Sequence, residues 1–237
     1  GEVQRGVIFA FAAYMLWGLF PLFWMLLEHV NSMEVLVSRV IWSFFFTVLF
    51  ILLIGQRRQL LTDWKQLLHN KADLLRLFAA SLIISINWFT YIWAVNNDKV
   101  LETSLGYYIN PLITVVFGVL IFKERLMKST IVALVIAALG VVVLTINYGT
   151  VPWISLLLAI TFGVYGVLKK KIELDATRGL AIETLLILPI AIVTYIYLGR
   201  TAPIAFLQID WQTTVLLMIG GIFTAIPLIL FAKGAQS

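Results

Sequence analysis

The chain alternates long uncharged apolar runs with short segments that hold most of its charge. Runs at 6–27, 77–97, 103–122 and 211–232 contain no Asp, Glu, Lys or Arg. Each is long enough to cross about 30 Å of hydrocarbon as a helix rising about 1.5 Å per residue. Residues 129–168 stay uncharged for forty positions, enough for two crossings. The turn chemistry of Asn147-Tyr-Gly-Thr-Val-Pro152 divides them into spans at 129–147 and 152–168. Two further runs, 33–55 and 179–199, carry Arg39 and Glu183 in their interiors. The pattern predicts an all-α polytopic membrane protein with eight spans. A barrel is excluded, because segments of about ten alternating residues do not recur and open strands leave backbone groups unpaired in lipid.

Composition agrees with lipid as the main solvent. The 237 residues are 62% hydrophobic and 12% charged, against about 45–50% and about 25% in a soluble domain. Lys and Arg divide fourteen to two across the predicted spans, with Arg5, Lys233 and the loops at 57–76, 123–128 and 169–178 on one side and only Lys99 and Arg200 on the other. The positive-inside rule then places both termini in the cytoplasm. The net charge of +5 is in this light a determinant of topology, and no nucleic-acid partner is expected. Segment 57–76, with Trp64 and spaced leucines, reads as a short amphipathic helix on the membrane surface. There is no Cys, and His29 and His69 fall in separate predicted loops, so neither a metal site nor a cofactor is expected. No intramembrane serine, aspartyl or HExxH protease constellation and no phosphate-cradling glycine loop exists, so an enzyme is not expected either.

The spans themselves carry the candidate chemistry. In the fourth, Tyr107, Asn110, Pro111, Thr114 and Gly118 follow at i, i+3, i+4, i+7 and i+11, a polar stripe down one helical face that lines a cavity or meets a neighbouring helix. The third holds Asn87 and Tyr91 one turn apart, beside Trp88. An amide in lipid needs a partner, so Asn87 is expected to face protein or water. Tyr14, Trp17, Gly18 and Pro21 repeat the theme in the first span, as packing or as a surface for a ligand. Arg39 lies about two turns inside the second span and is the candidate to meet a carboxylate or phosphate through its planar fork. Glu183 is the candidate proton carrier in the seventh. Ala133, Ala137 and Gly140 share a face of the fifth, the pattern of close helix packing.

Weak internal similarity links Ala13-Tyr-Met-Leu-Trp-Gly18 to Thr161-Phe-Gly-Val-Tyr-Gly166, and Trp93-Ala94 to Phe231-Ala232, while Arg39 and Glu183 occupy similar depths in the next spans. A first repeat of five spans over 1–148 followed by an incomplete second over 149–237 would be inverted across the membrane. The run Asn87-Trp88, Tyr91-Ile-Trp-Ala-Val-Asn-Asn97, Leu101-Glu-Thr-Ser-Leu-Gly-Tyr-Tyr-Ile-Asn-Pro-Leu112 and Phe122-Lys-Glu-Arg-Leu126 resembles the RarD-type branch of the EamA permeases in the drug/metabolite transporter superfamily. The stretch from Gly6 through Trp17-Gly-Leu-Phe-Pro21 to Ser38-Arg39-Val-Ile-Trp42 is similar to the same group.

That resemblance implies ten helices in two inverted five-helix repeats, a bacterial inner-membrane location and export of small metabolites or drug-like molecules, among them amino acids and chloramphenicol-like compounds, by alternating access. Glu124 is then read as a structural loop residue. The chain stops at Gln236-Ser237, and the expectation is that helices nine and ten are cut away, leaving the fourth and eighth spans short of neighbours. The expected substrate lining is Trp17, Arg39, Asn87, Trp88, Tyr91, Tyr107, Tyr108, Asn110 and Tyr165, with Pro21, Pro111 and Pro227 as hinges and Glu183 coupling transport to protons. The rival reading is a membrane scaffold or receptor that transports nothing.

Overall fold

The computed structural model describes residues 1–235, and side chains through Leu230. Among them are nine α-helices and no strand: α1 Glu2–Met25, α2 Ser32–Leu53, α3 Arg57–His69, α4 Lys71–Asn96, α5 Val100–Phe122, α6 Lys128–Tyr148, α7 Trp153–Lys170, α8 Ala176–Thr201 and α9 Trp211–Ala235. Eight are long and apolar enough to cross a membrane, matching the eight predicted spans. The ninth, α3, is a short helix within the segment read as amphipathic at 57–76. It ends at His69 because Asn70 starts α4, its side chain accepting the N–H of Asp73 at 3.3 Å. Thus α4 begins at Lys71 and not near 77, and His69 closes a helix instead of lying in a loop.

Polar contacts gather alternate loops at two ends of the bundle. At one, Arg178 Nε pairs with Asp63 at 2.5 Å, tying α3 to the start of α8, and Lys170 pairs with Glu124 at 2.7 Å, tying α7 to the α5–α6 loop. At the other, the Glu34 carboxylate accepts the N–H groups of Ala205 at 2.8 Å and Phe206 at 3.1 Å. Tyr148 there donates to Glu102 at 2.8 Å. Glu34 and Glu102 join Glu183 as buried acids, a pair that hydropathy does not reveal, since each sits in the first turn of its helix.

Between these ends α9 packs on α1 and α2, α2 on α8, and α7 on α4 and α5. Lipid is as apolar as leucine, so helices associate where small residues let backbones approach and where buried polar groups find partners. Gly221 lies against the backbone of Trp42 and Ser43 at the α2–α9 crossing, and Gly106 against Ser155 at the α5–α7 crossing. The eighth span thus has α1, α2 and, less closely, α8 as neighbours within the chain. By contrast α6 packs mainly on α5 and buries none of its residues among the described ones. Ala133, Ala137 and Gly140 face out of the bundle, and the close packing expected of that stripe does not occur among the described residues. Pro21, Pro111 and Pro227 lie inside α1, α5 and α9, with Pro189 inside α8. The Phe231-Ala232 half of the internal similarity and the side chain of Lys233 lie outside the described side chains.

Candidate functional site

Arg39 is 7% exposed and forms the centre of the site. Its Nε donates to Thr224 Oγ1 at 2.7 Å, a contact from α2 to α9. Thr224 in turn donates to the Gly220 carbonyl at 2.8 Å, which fixes the hydroxyl as an acceptor for the guanidinium. The guanidinium carbon lies 4.3 Å from the ring centre of Trp88 on α4 and 5.0 Å from that of Trp24 on α1. A desolvated contact of this kind contributes about 2 kcal/mol. Among the described residues no carboxylate pairs with Arg39. Four elements therefore converge on one buried cation and leave its charge unmatched.

Tyr91, one turn along α4 from Trp88, sets its ring edge against Tyr107 of α5, with ring centroids 6.5 Å apart. Both side chains lie within electrostatic reach of Arg39. The Tyr91 hydroxyl is buried and, beyond the neighbouring Tyr107, has no hydrogen-bond partner among the described residues. A buried unmatched hydroxyl costs about 1–3 kcal/mol, so a tyrosine in that position invites an acceptor. Trp17 packs at the edge of the same apolar cluster as Trp24 and Tyr91.

The remaining predicted lining residues separate into other roles. Asn87 donates to the Leu158 carbonyl and to Thr161 Oγ1, both at 3.0 Å, so its amide joins α4 to α7. Tyr165 donates to Glu183 Oε2 at 2.9 Å, and Lys169 pairs with Glu183 Oε1 at 2.7 Å. The acid read as a free proton carrier thus has a lysine counterion, which the sequence placed in a loop and the last turn of α7 brings inward. A cavity of about 10 Å³, bounded by Trp88, Glu183, Ser81, Ser85 and Thr184, adjoins this cluster and is near the room one water needs.

The fourth-span stripe faces mostly away from α7. Tyr107 is 59% and Tyr108 75% exposed, and Asn110 Oδ1 is buried without a partner. The buried face of α5 is instead Glu102, Thr103, Gly106 and Ile109. Tyr108 therefore does not join Arg39, whereas Tyr107 does. Trp24 and Thr224 escaped sequence reasoning. A tryptophan and a threonine in apolar helices carry no local signal, and they come together with Arg39 only through helix packing.

Comparison with known proteins completes the picture. The sequence profile of the EamA-like transporter family matches residues 4–146. The chain belongs to this family. It is 46% identical over 239 residues to the uncharacterized transporter YojE of Bacillus subtilis, covering 99% of the chain and 78% of that protein. With the protein RarD of Escherichia coli it shares 36% identity over 234 residues, covering 99% and 78%. Against the chloramphenicol-sensitive protein RarD of Pseudomonas aeruginosa the identity is 30% over 195 residues, covering 82% and 65%. No solved structure matches. The chain is thus a RarD-type EamA permease, a multi-pass membrane transporter.

Proposed function

We propose that this EamA permease is a secondary transporter that exports a small metabolite or drug-like molecule across a bacterial inner membrane by alternating access. The solute would rest on the Arg39 centre between two inverted halves. One observation carries this reading: a buried cation, held between the rings of Trp24 and Trp88 with Tyr91 and Tyr107 nearby, that no carboxylate among the described residues neutralises. A structural arginine in lipid is expected to be paired, because an unmatched charge there is expensive. A solute group would supply the match.

Helix pairing supports the halves at 1–148 and 149–237. Taking α1, α2, α4, α5 and α6 as the first repeat and α7, α8 and α9 as the start of the second, the α1–α9 pair corresponds to the α7–α4 pair. The α2–α8 pair joins the two equivalent second helices. A five-helix unit inverts its successor, which puts the site at the interface. Loops at 57–76, 123–128 and 169–178 face the cytoplasm with both termini under the positive-inside rule. Pro21, Pro111 and Pro227 serve as bending points in helices that flank the site. Glu183, with Lys169 as its counterion, is the candidate for proton coupling.

The name of the P. aeruginosa relative adds chloramphenicol-like compounds to amino acids and other metabolites as solutes to try. Counterflow in proteoliposomes, run over labelled amino acids, aromatic carboxylates and chloramphenicol, tests the reading. Saturable exchange of one class supports it. Folded, inserted protein that exchanges none contradicts it and leaves the scaffold reading in its place.

A further inference from the structure

We infer that the Arg39 centre selects a monocarboxylate on a flat apolar body and discriminates against zwitterionic amino acids, an inference that rests on the transporter reading and narrows its substrate class. The argument is a charge inventory. The chain buries three acids, Glu34, Glu102 and Glu183, and each is engaged away from Arg39. Glu34 accepts backbone N–H groups of Ala205 and Phe206, Glu102 accepts from Tyr148, and Glu183 pairs with Lys169. The site is left with one positive charge and no negative one. A ligand bearing a single negative charge matches it, and a phosphate, carrying about −1.5 to −2 at neutral pH, overshoots it. The ammonium of an amino acid would find no carboxylate there and would stand near a guanidinium.

Hydrogen bonds give the same answer. Arg39 spends Nε on Thr224, its two Nη groups donate to no atom of the described residues, and the buried Tyr91 hydroxyl has no neighbour to bond beyond that of Tyr107. A carboxylate accepts bidentately from a guanidinium fork and has lone pairs left for a hydroxyl. An amide or a hydroxyl of the solute cannot fill the same places without leaving the charge unmatched. The exposed ring of Tyr107, with the edge of Trp88, offers aromatic surface beside the polar point, which suits an aromatic or otherwise flat apolar body.

The test is equilibrium binding of radiolabelled benzoate to the purified chain in detergent, with unlabelled benzoate, benzamide and phenylalanine as competitors. Saturable benzoate binding is expected, with benzamide and phenylalanine each competing at least tenfold more weakly. Arg39→Gln is expected to weaken binding at least tenfold and Tyr91→Phe severalfold, while Arg39→Lys, which keeps the charge but not the fork, falls between wild type and Arg39→Gln. The competitor series needs no variant, so a misfolded mutant does not decide the matter. Equal competition by benzamide or phenylalanine, or absence of saturable benzoate binding, overturns the assignment of substrate class. Counterflow of phenylalanine or chloramphenicol that depends on Arg39 would then leave the transporter reading standing with a different solute, whereas failure of all counterflow removes that reading itself.

Discussion

Gly221 offers a perturbation whose effect can be worked out from distances. A Cβ at this position would clash with the carbonyl carbon of Trp42 and stand 2.5 Å from the Ser43 nitrogen, where ordinary contact begins at 3.4 Å. These are backbone atoms, so Gly221→Ala forces α9 away from α2 by about 1 Å, an overpacking that costs about 1–3 kcal/mol. The displacement reaches the site. Thr224 lies one turn beyond Gly221 and Arg39 one turn before Ser43, and their 2.7 Å hydrogen bond would stretch to about 3.7 Å, outside hydrogen-bonding range. A bond to a charged group contributes about 1.5–3 kcal/mol. Thermal unfolding in detergent followed by tryptophan fluorescence is the assay, with Gly140→Ala as control because nothing lies within 4 Å of its added methyl. The expected result is a clear drop in melting temperature for Gly221→Ala and none for Gly140→Ala. Equal melting of Gly221→Ala and wild type would refute the close approach of α2 and α9.

Other contacts give outcomes of their own. Lys169→Met should destabilise the protein by about 3–5 kcal/mol, because it strands the Glu183 charge in a buried place; the double variant Lys169→Met with Glu183→Gln should recover most of that loss in the same melting assay. Glu34→Gln should weaken the hold on the loop before α9, read as faster amide exchange at Ala205 and Phe206, whereas unchanged exchange would show that the carboxylate is not needed there. Asp210, outside the spans, is held below its ordinary value near 3.8 chiefly by the N–H of Thr213, then by the Thr213 side chain and the nearby His29. A carboxylate with a lowered folded value stabilises above its unfolded value, and that contribution fades as pH falls through the folded one. Melting should therefore drop below about pH 4 in part through Asp210, and Asp210→Asn should flatten that acid limb.

Hydropathy made the eight spans legible, because length and lack of charge decide which residues leave water. The short helix α3 was legible too, from Trp64 and its spaced leucines. What packs against what was not. In water, an apolar stripe tells which face of a helix is buried, but in lipid both faces are apolar and the contact is decided by small residues and polar partners. Hence the stripe of Tyr107, Asn110 and Thr114 turned largely outward while Gly106 and Ile113 met α7. The small-residue stripe of α6 likewise found no neighbour. Arg39 announced itself as the lone cation inside a span, whereas Trp24 and Thr224, contributed by the first and last helices, had no local signature. Lys169 was miscast as a loop charge for a related reason: its long stem lets the ammonium reach Glu183 from the end of α7.

The central claim is that the unmatched Arg39 charge is where the solute binds during transport. The most direct test is counterflow in proteoliposomes for wild type and Arg39→Gln, with both proteins matched for insertion and for melting temperature. The account predicts saturable exchange by wild type and its loss in Arg39→Gln at equal amounts of folded protein. Exchange by Arg39→Gln at the wild-type rate would contradict it and move the site elsewhere in the bundle.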